Sequence, residues 1–250
     1  MTTSPAAAPA VFDTIVLLAQ SPESDALSAL LRQHNPQLAI LTPATKGELA
    51  AIPAATLARA RILGFLTPII VPPAVLAAAG YGAYNIHPGP PSYPGWLPSH
   101  FAVHDGAAVF GATAHVMIEQ VDAGPIVGIE LFRVPDAISV TELEKLTYLR
   151  CAQLIWRLAP AIACDPAPLP DLPLRWNGRR STKAMVRAAC DIRSDIPEGE
   201  LERRIAGFGA GHSGVAPTVT LHGHTFRCAP SQLADMPDEA TAPPADKHVA

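Results

Sequence analysis

Aromatic side chains are scarce, at 6% of the 250 residues, and charged ones reach only 16%. Neither sign dominates: 18 Lys and Arg stand against 22 Asp and Glu, for a net charge of -4. That balance gives no general attraction to nucleic acid or to an anionic membrane. No apolar run approaches the roughly 20 residues that a spanning helix needs. The opening stretch MTTSPAAAPA has no basic segment followed by an apolar one. It is therefore expected to be a disordered leader over residues 1–10 and not a secretory signal. The four cysteines, Cys151, Cys164, Cys190 and Cys228, form no C-x-x-C pair. Their spacing suits neither a zinc site nor a disulfide framework, and fits reduced thiols in the cytoplasm. His100 and His104 lie four apart without an E-x-x-H context, so no metal site is expected.

The chain is rich instead in apolar residues, at 49%, enough for one large domain and a small appendage. Short apolar runs at Val11 to Ala19, in QLAILTP, at Arg61 to Leu66 and in GAYNIH read as strands. SPESDALSALLRQH and PPAVLAAAG read as helices between them. Alternating strands and helices predict a mostly parallel, Rossmann-like α/β sheet with helices on both faces. PSHFAVHDG predicts a further helix, and GATAHVMI and IVGIELFRV two further strands. Ser139 to Ala163 predicts one long amphipathic helix, opened by a capping box from Ser139 to Glu142. These elements make up one domain over residues 11–163. CDPAPLPDLPL supplies a proline-rich linker over 164–173. RWNGRRSTKAMVRAAC and EGELERRIAGFG predict two helices, and His222-Gly223 turns a hairpin in APTVTLHGHTFRCA. Residues 174–228 are thus expected to form a small α+β appendage, and 229–250 a disordered tail.

One stretch asks for more than a folding argument. NIHPGPPSYPGW, from Asn85 to Trp96, packs four prolines and two glycines behind a histidine. Asn85 and His87 end a predicted strand, where i and i+2 share a face. In open α/β sheets ligands bind beyond such strand ends. Asn offers an amide donor fit to polarise a carbonyl, and His moves a proton near neutral pH. A third polar group is Asp122, in the turn VDAGPIV, with His115 seven residues before it. Taken singly, each has an ordinary reading as surface, core or turn chemistry.

Their order and spacing resemble the folate-dependent formyltransferase superfamily. Its members carry N-x-H-P at a strand end, then G-x-T/S-x-H, then D-x-G-P; here these are NIHP, GATAH and VDAGP. The resemblance runs from about Val11 to Ile162 and is dense from Ile62 to Val127. It implies the formyltransferase fold and transfer of the formyl group of 10-formyltetrahydrofolate to a small amine, an amino sugar among the candidates. It implies that Asn85 stabilises the oxyanion and that His87 assists there and in proton transfer. Asp122 would orient His87, hold a water or accept the amine proton, and His115, of second rank, would support Asp122 or simply pack. It places the co-substrate against Gly64, Phe65, Leu66, Ile69, Ile70, Val71, Val121 and Gly124. Pro88, Tyr93 and Trp96 would wall the acceptor pocket or cap its loop.

Departures narrow the acceptor. GPPSYPG replaces the Ser-Leu-Leu-Pro of many relatives, and LAQSPESD lacks a glycine-rich phosphate loop after the first strand. Glycinamide ribonucleotide is therefore not the expected acceptor. RWNGRRSTK is a local basic stretch, expected to shape the acceptor pocket or a homodimer contact. Hydrolysis of the same co-substrate is an alternative with water as acceptor. Folate binding without catalysis is a third reading, against which an intact Asn85, His87 and Asp122 argue.

Overall fold

The computed structural model describes residues 11–209 and 213–228. The leader read over 1–10 and the tail read over 229–250 lie outside the described residues. The chain runs β1 (Thr14–Leu18), α1 (Glu23–His34), β2 (Ala39–Leu41), α2 (Lys46–Ala50), α3 (Ala54–Leu57), β3 (Ala60–Phe65), α4 (Pro73–Ala78) and β4 (Ala83–His87). It continues with α5 (Pro98–His104), β5 (Val109–Val116), β6 (Ile126–Arg133) and α6 (Val140–Cys164). The remaining elements are α7 (Lys183–Cys190), β7 (Asp191–Ile192), α8 (Glu198–Phe208), β8 (Thr218–Leu221) and β9 (His224–Arg227).

Six strands form one sheet in the order β2-β1-β3-β4-β5-β6. The first four run parallel, and β5 and β6 add antiparallel. The strands alternate between two cores, as the pleat requires. Ile15, Leu17, Leu63, Phe65, Tyr84 and Ile86 face α1 and α6. Val16, Leu18, Ala60, Ile62 and Ala83 face the layer of α2, α3 and α4. The long helix α6 starts on the expected capping box: Ser139 Oγ accepts from the Glu142 N–H, and the Glu142 carboxylate accepts from the Ser139 N–H. At its other end Arg61, fully buried, donates to the carbonyls of Ala161, Ile162 and Ala167. A cation there complements the negative end of the helix.

Two elements differ from expectation. The helix predicted from Arg175 begins only at Lys183, capped by Thr182. Residues 174–182 form neither helix nor strand, because their backbone bonds go to another loop: Asn177 and Gly178 donate to the Pro91 carbonyl, and Ser181 to that of Pro94. The two-residue strand β7, too short for periodicity to show, pairs parallel to β8. The hairpin β8–β9 turns at His222 and Gly223, both at positive φ (50° and 82°), as a two-residue hairpin turn demands.

Candidate active site

Asn85 and His87 continue the face of β4 that carries Ala83. Beyond Ala83 the helix layer on that face stops, which leaves a cavity of about 870 Å³ over the strand ends. Antiparallel pairing sets His115 opposite Asn85 and Thr113 opposite His87. A register shift between Ala114 and His115 marks a bulge at this point. Asp122 reaches the same spot from the turn after β5, with its backbone at φ 49°.

The four side chains meet. Asn85 Nδ2 lies 3.3 Å from His115 Nε2. One Asp122 oxygen, Oδ1, is 3.2 Å from His115 Nε2, and the other, Oδ2, is 3.4 Å from His87 Nδ1. Asp122 Oδ2 also accepts the Gly95 N–H at 2.9 Å. The outer nitrogens of both rings are held: His87 Nε2 by the Tyr93 carbonyl and His115 Nδ1 by that of Val116, each at 2.9 Å. Carbonyls accept only, so each outer nitrogen carries a hydrogen. The inner nitrogens then face the Asp122 carboxylate. His87, His115 and Asp122 are all buried, at 3%, 3% and 5% exposure.

Burial pushes the His87 imidazolium below its ordinary 6.5, against the Asp122 charge and the Tyr93 carbonyl, which pull upward. Burial alone would raise the Asp122 carboxyl. The His115 bond, the His87 charge and the Gly95 N–H outweigh it and hold the group below 3.8. Asp122 is thus an ionised carboxylate shared by two imidazoles.

Trp176, from the 174–182 segment, lies edge-on to both rings, 5.7 Å from His87 and 5.1 Å from His115 between centroids. Its Nε1–H donates to the Gly124 carbonyl at 2.8 Å. Arg180 donates to Val121 at 3.3 Å. The segment thus ties the Asp122 turn to the 91–96 loop. Gly95 is required at the crossing: its φ is 99°, and a Cβ there would lie 2.3 Å from the Ser181 carbonyl. Gly64 is required beneath the amide, since a Cβ would stand 2.7 Å from Asn85 Oδ1.

The other expected residues divide. Leu66, Ile69, Ile70, Val71 and Val121 line the cavity, as do Pro88 and Trp96. Residues 67–72 belong to no helix or strand, and within them the Ile69 N–H donates to Thr67 Oγ1. Gly64, Phe65, Gly124 and Tyr93 do not line it. Phe65 packs in the core against Tyr148. Gly64 makes room for Asn85, and Gly124 takes the Trp176 bond. Tyr93 turns its ring onto Phe110, at 5.6 Å, and contributes its carbonyl to His87. Sequence reasoning did not place Met117, Tyr148 or Lys183 on the wall. Only the fold brings them there, and no local pattern marks them. Among the described residues, no group of three or more His, Cys, Asp or Glu is arranged to hold a metal.

A sheet covered on both faces, with Asn, two His and Asp converging beyond its strand ends, defines an α/β protein with a proton-handling pocket. The formyl transferase family model matches residues 60–149, the stretch that carries all four. The chain thus resembles the folate-dependent formyltransferase superfamily in sequence and in fold. It is 34% identical over 95 residues to a methionyl-tRNA formyltransferase of Staphylococcus epidermidis, covering 37% of this chain and 30% of that protein. The chain therefore spans about a third of the length of such curated relatives. Likeness in structure is broader. A sugar N-formyltransferase from Shewanella superposes with a TM-score of 0.70 at 13% identity, over 88% of this chain and 97% of that one. An N-formyltransferase from Helicobacter canadensis, in complex with folinic acid and dTDP-3-aminofucose, gives 0.61 at 11% identity, over 85% of each chain. At these identities the likeness shows the fold. No described helix is long and apolar enough to cross a membrane.

Proposed function

We propose that this chain is an N-formyltransferase that moves the formyl group of 10-formyltetrahydrofolate to the amine of a small acceptor, an amino sugar. The observation that carries this reading is the Asp122 carboxylate, buried between two imidazoles beside the Asn85 amide on a cavity wall. The Helicobacter canadensis structure, with a folate and an amino sugar bound, supports the substrate pair. The apolar wall from Leu66 to Val71 suits a flat folate ring. Residues 11–163 are the catalytic domain in this reading, and 174–228 a subdomain that covers it. The location is cytoplasmic.

The amine nitrogen attacks the formyl carbon, a C–N bond forms and the formyl oxygen becomes an oxyanion. Asn85 Nδ2 carries two hydrogens. One points to His115, and the second donates to the oxyanion. The amine proton passes to the Asp122–His87 pair, which takes up one proton as a unit. Collapse breaks the bond between the formyl carbon and the folate nitrogen, and the pair returns the proton to that nitrogen. No net proton is gained or lost. Trp176 and the proline-rich loop limit water at the cluster, which favours the amine over hydrolysis.

The test follows tetrahydrofolate release from 10-formyltetrahydrofolate with and without a panel of amines that includes amino sugars. Release only with an amine is expected. Equal release without one, abolished in Asp122→Ala, would make the protein a hydrolase. Folate binding without release under any condition would overturn catalysis altogether.

A further inference from the structure

The backbone of Asp122 lies at φ 49°, a region disfavoured for a residue with a Cβ. Such a conformation persists only where its surroundings fix it. The 174–182 segment fixes it from three directions. Arg180 donates to the Val121 carbonyl on one side of Asp122, and Trp176 Nε1–H to the Gly124 carbonyl on the other. The third hold acts through the Gly95 N–H, which donates to Asp122 Oδ2 at 2.9 Å.

That N–H belongs to the peptide joining Pro94 to Gly95. The peptide is planar and trans, so its carbonyl and its N–H point in opposite directions. Whatever pins the Pro94 carbonyl therefore aims the Gly95 N–H. The residue that pins it is Ser181. The Ser181 N–H donates to the Pro94 carbonyl at 2.9 Å, and the Ser181 carbonyl accepts from the Trp96 N–H at 3.2 Å. The Ser181 hydroxyl lies 2.5 Å from the Trp96 carbonyl and 3.2 Å from that of Pro94. It has one hydrogen, and the Pro94 carbonyl already accepts from the backbone, so the hydrogen goes to the nearer Trp96. Ser181 is buried, which makes the loss of that bond costly. Gly95, at φ 99°, has no side chain to limit its rotation, and Ser181 supplies the restraint.

We propose that Ser181 is a positioning residue of the reactive cluster: it pins the peptides on both sides of Gly95 and so aims the N–H that anchors the Asp122 carboxylate. Ser181 lies beyond residue 163, so residues 11–163 do not complete their own reactive centre. The effect on turnover rests on the formyl-transfer reading, and the placement of the carboxylate does not.

Among the described residues, the ionisable groups that act on Asp122 are His115 from β5 and His87 from β4. Glu119, Glu144, Tyr148, Arg180 and Lys183, on the wall of the same cavity, make no bond to it. After the His115 bond and the imidazole charges, the Gly95 N–H helps to hold the carboxyl below 3.8 against burial. A loosened N–H leaves more charge on the carboxylate, and the cluster as a unit takes up its proton at higher pH.

Ser181→Ala removes the hydroxyl and keeps both backbone bonds. The His87 ring signals are followed by NMR through a pH titration of the full chain in the parent, Ser181→Ala and Ser181→Thr, with thermal melts of each. The midpoint is expected to rise in the alanine variant and to return in the threonine variant, which restores a hydroxyl. The acid limb of the kcat profile should move the same way. Its plateau should fall about fivefold, the scale of one hydrogen bond, with KM for the acceptor unchanged. A smaller folded fraction would lower kcat without moving either midpoint. Identical ring titrations in the parent and Ser181→Ala would overturn the proposal, whatever the assay shows. A threonine variant that melts like the parent yet titrates like the alanine variant would overturn it too, as would a shifted ring with kcat unchanged. A shifted ring in a chain that formylates no amine would sink the transfer reading and keep Ser181 as the residue that places the carboxylate.

Discussion

The floor of the pocket and its rim are both polar, yet they are built in opposite ways. On the floor, Asn85, His87 and His115 project from paired strands, and Asp122 from a turn tied to them. An ionised carboxylate lies there between two buried imidazoles, away from water. On the rim, Lys183, Arg187 and Arg227 come from a helix and a hairpin added after the main sheet, carry one sign and stand exposed. The contrast teaches where each task is placed. Chemistry needs geometry held to a fraction of an ångström, which rigid paired strands provide. Side chains on appended elements can vary without disturbing the floor.

The sharpest way to break this division is to remove the shared carboxylate. Asp122→Asn keeps the shape but cannot take up the amine proton as a carboxylate does. A turnover loss of about 10³-fold is expected, with KM for the acceptor little changed, in line with loss of a proton-handling group. A loss confined to KM would place Asp122 in binding. Asn85→Ala should cost about 10²- to 10³-fold in kcat, the usual effect of deleting one oxyanion donor. Near-full activity in steady-state assays would take Asn85 out of the mechanism.

Trp176 joins the two regions, and its substitution measures how far the floor depends on the later segment. Trp176→Ala removes the cover over both imidazoles and the bond to Gly124; about a tenfold fall in kcat is expected from loosened positioning. Trp176→Phe keeps a ring and should fall less. Equal losses would assign the effect to the N–H bond alone.

The smallest effect is on stability. Burial holds His87 below 6.5, so the unfolded chain takes up that proton first. Stability is then full above 6.5 and declines as pH falls toward the folded-state value, by at most about 1.4 kcal/mol per pH unit for one proton. Asp122, held below 3.8, adds stability above that value which is lost as pH falls through its lower folded-state pKa. Urea unfolding from neutral to acid pH should show the first decline in the parent chain and flatten it in His87→Gln. An identical slope in both would show that another group titrates there.

Much of this was legible in the sequence. The alternation of Tyr84, Asn85, Ile86 and His87 places Asn85 and His87 on one face, because a strand's period is two. Ser139 and Glu142 announced the start of α6, because a capping box is local chemistry. His222-Gly223 announced the hairpin, because only such pairs accept two positive φ values. What failed was non-local. The 174–182 segment reads as the start of a helix, and Tyr93 as a pocket wall, until the 91–96 loop claims the backbone of one and Phe110 the ring of the other.

The sequence by itself determined the alternation of strands and helices, the shared face of Asn85 and His87, and the reactive types that follow them. Each is fixed by periodicity or by neighbours within a few residues. Only the tertiary structure decided that Asp122 lies between two imidazoles, that Trp176 returns from beyond the linker to cover them, and that Lys183, Arg187 and Arg227 share a cavity. Most of those contacts join residues far apart in the chain, as His87 to Asp122 and Trp176 to both imidazoles. They form when the sheet, α6 and the later segment bury their apolar faces together, a balance that no local pattern records.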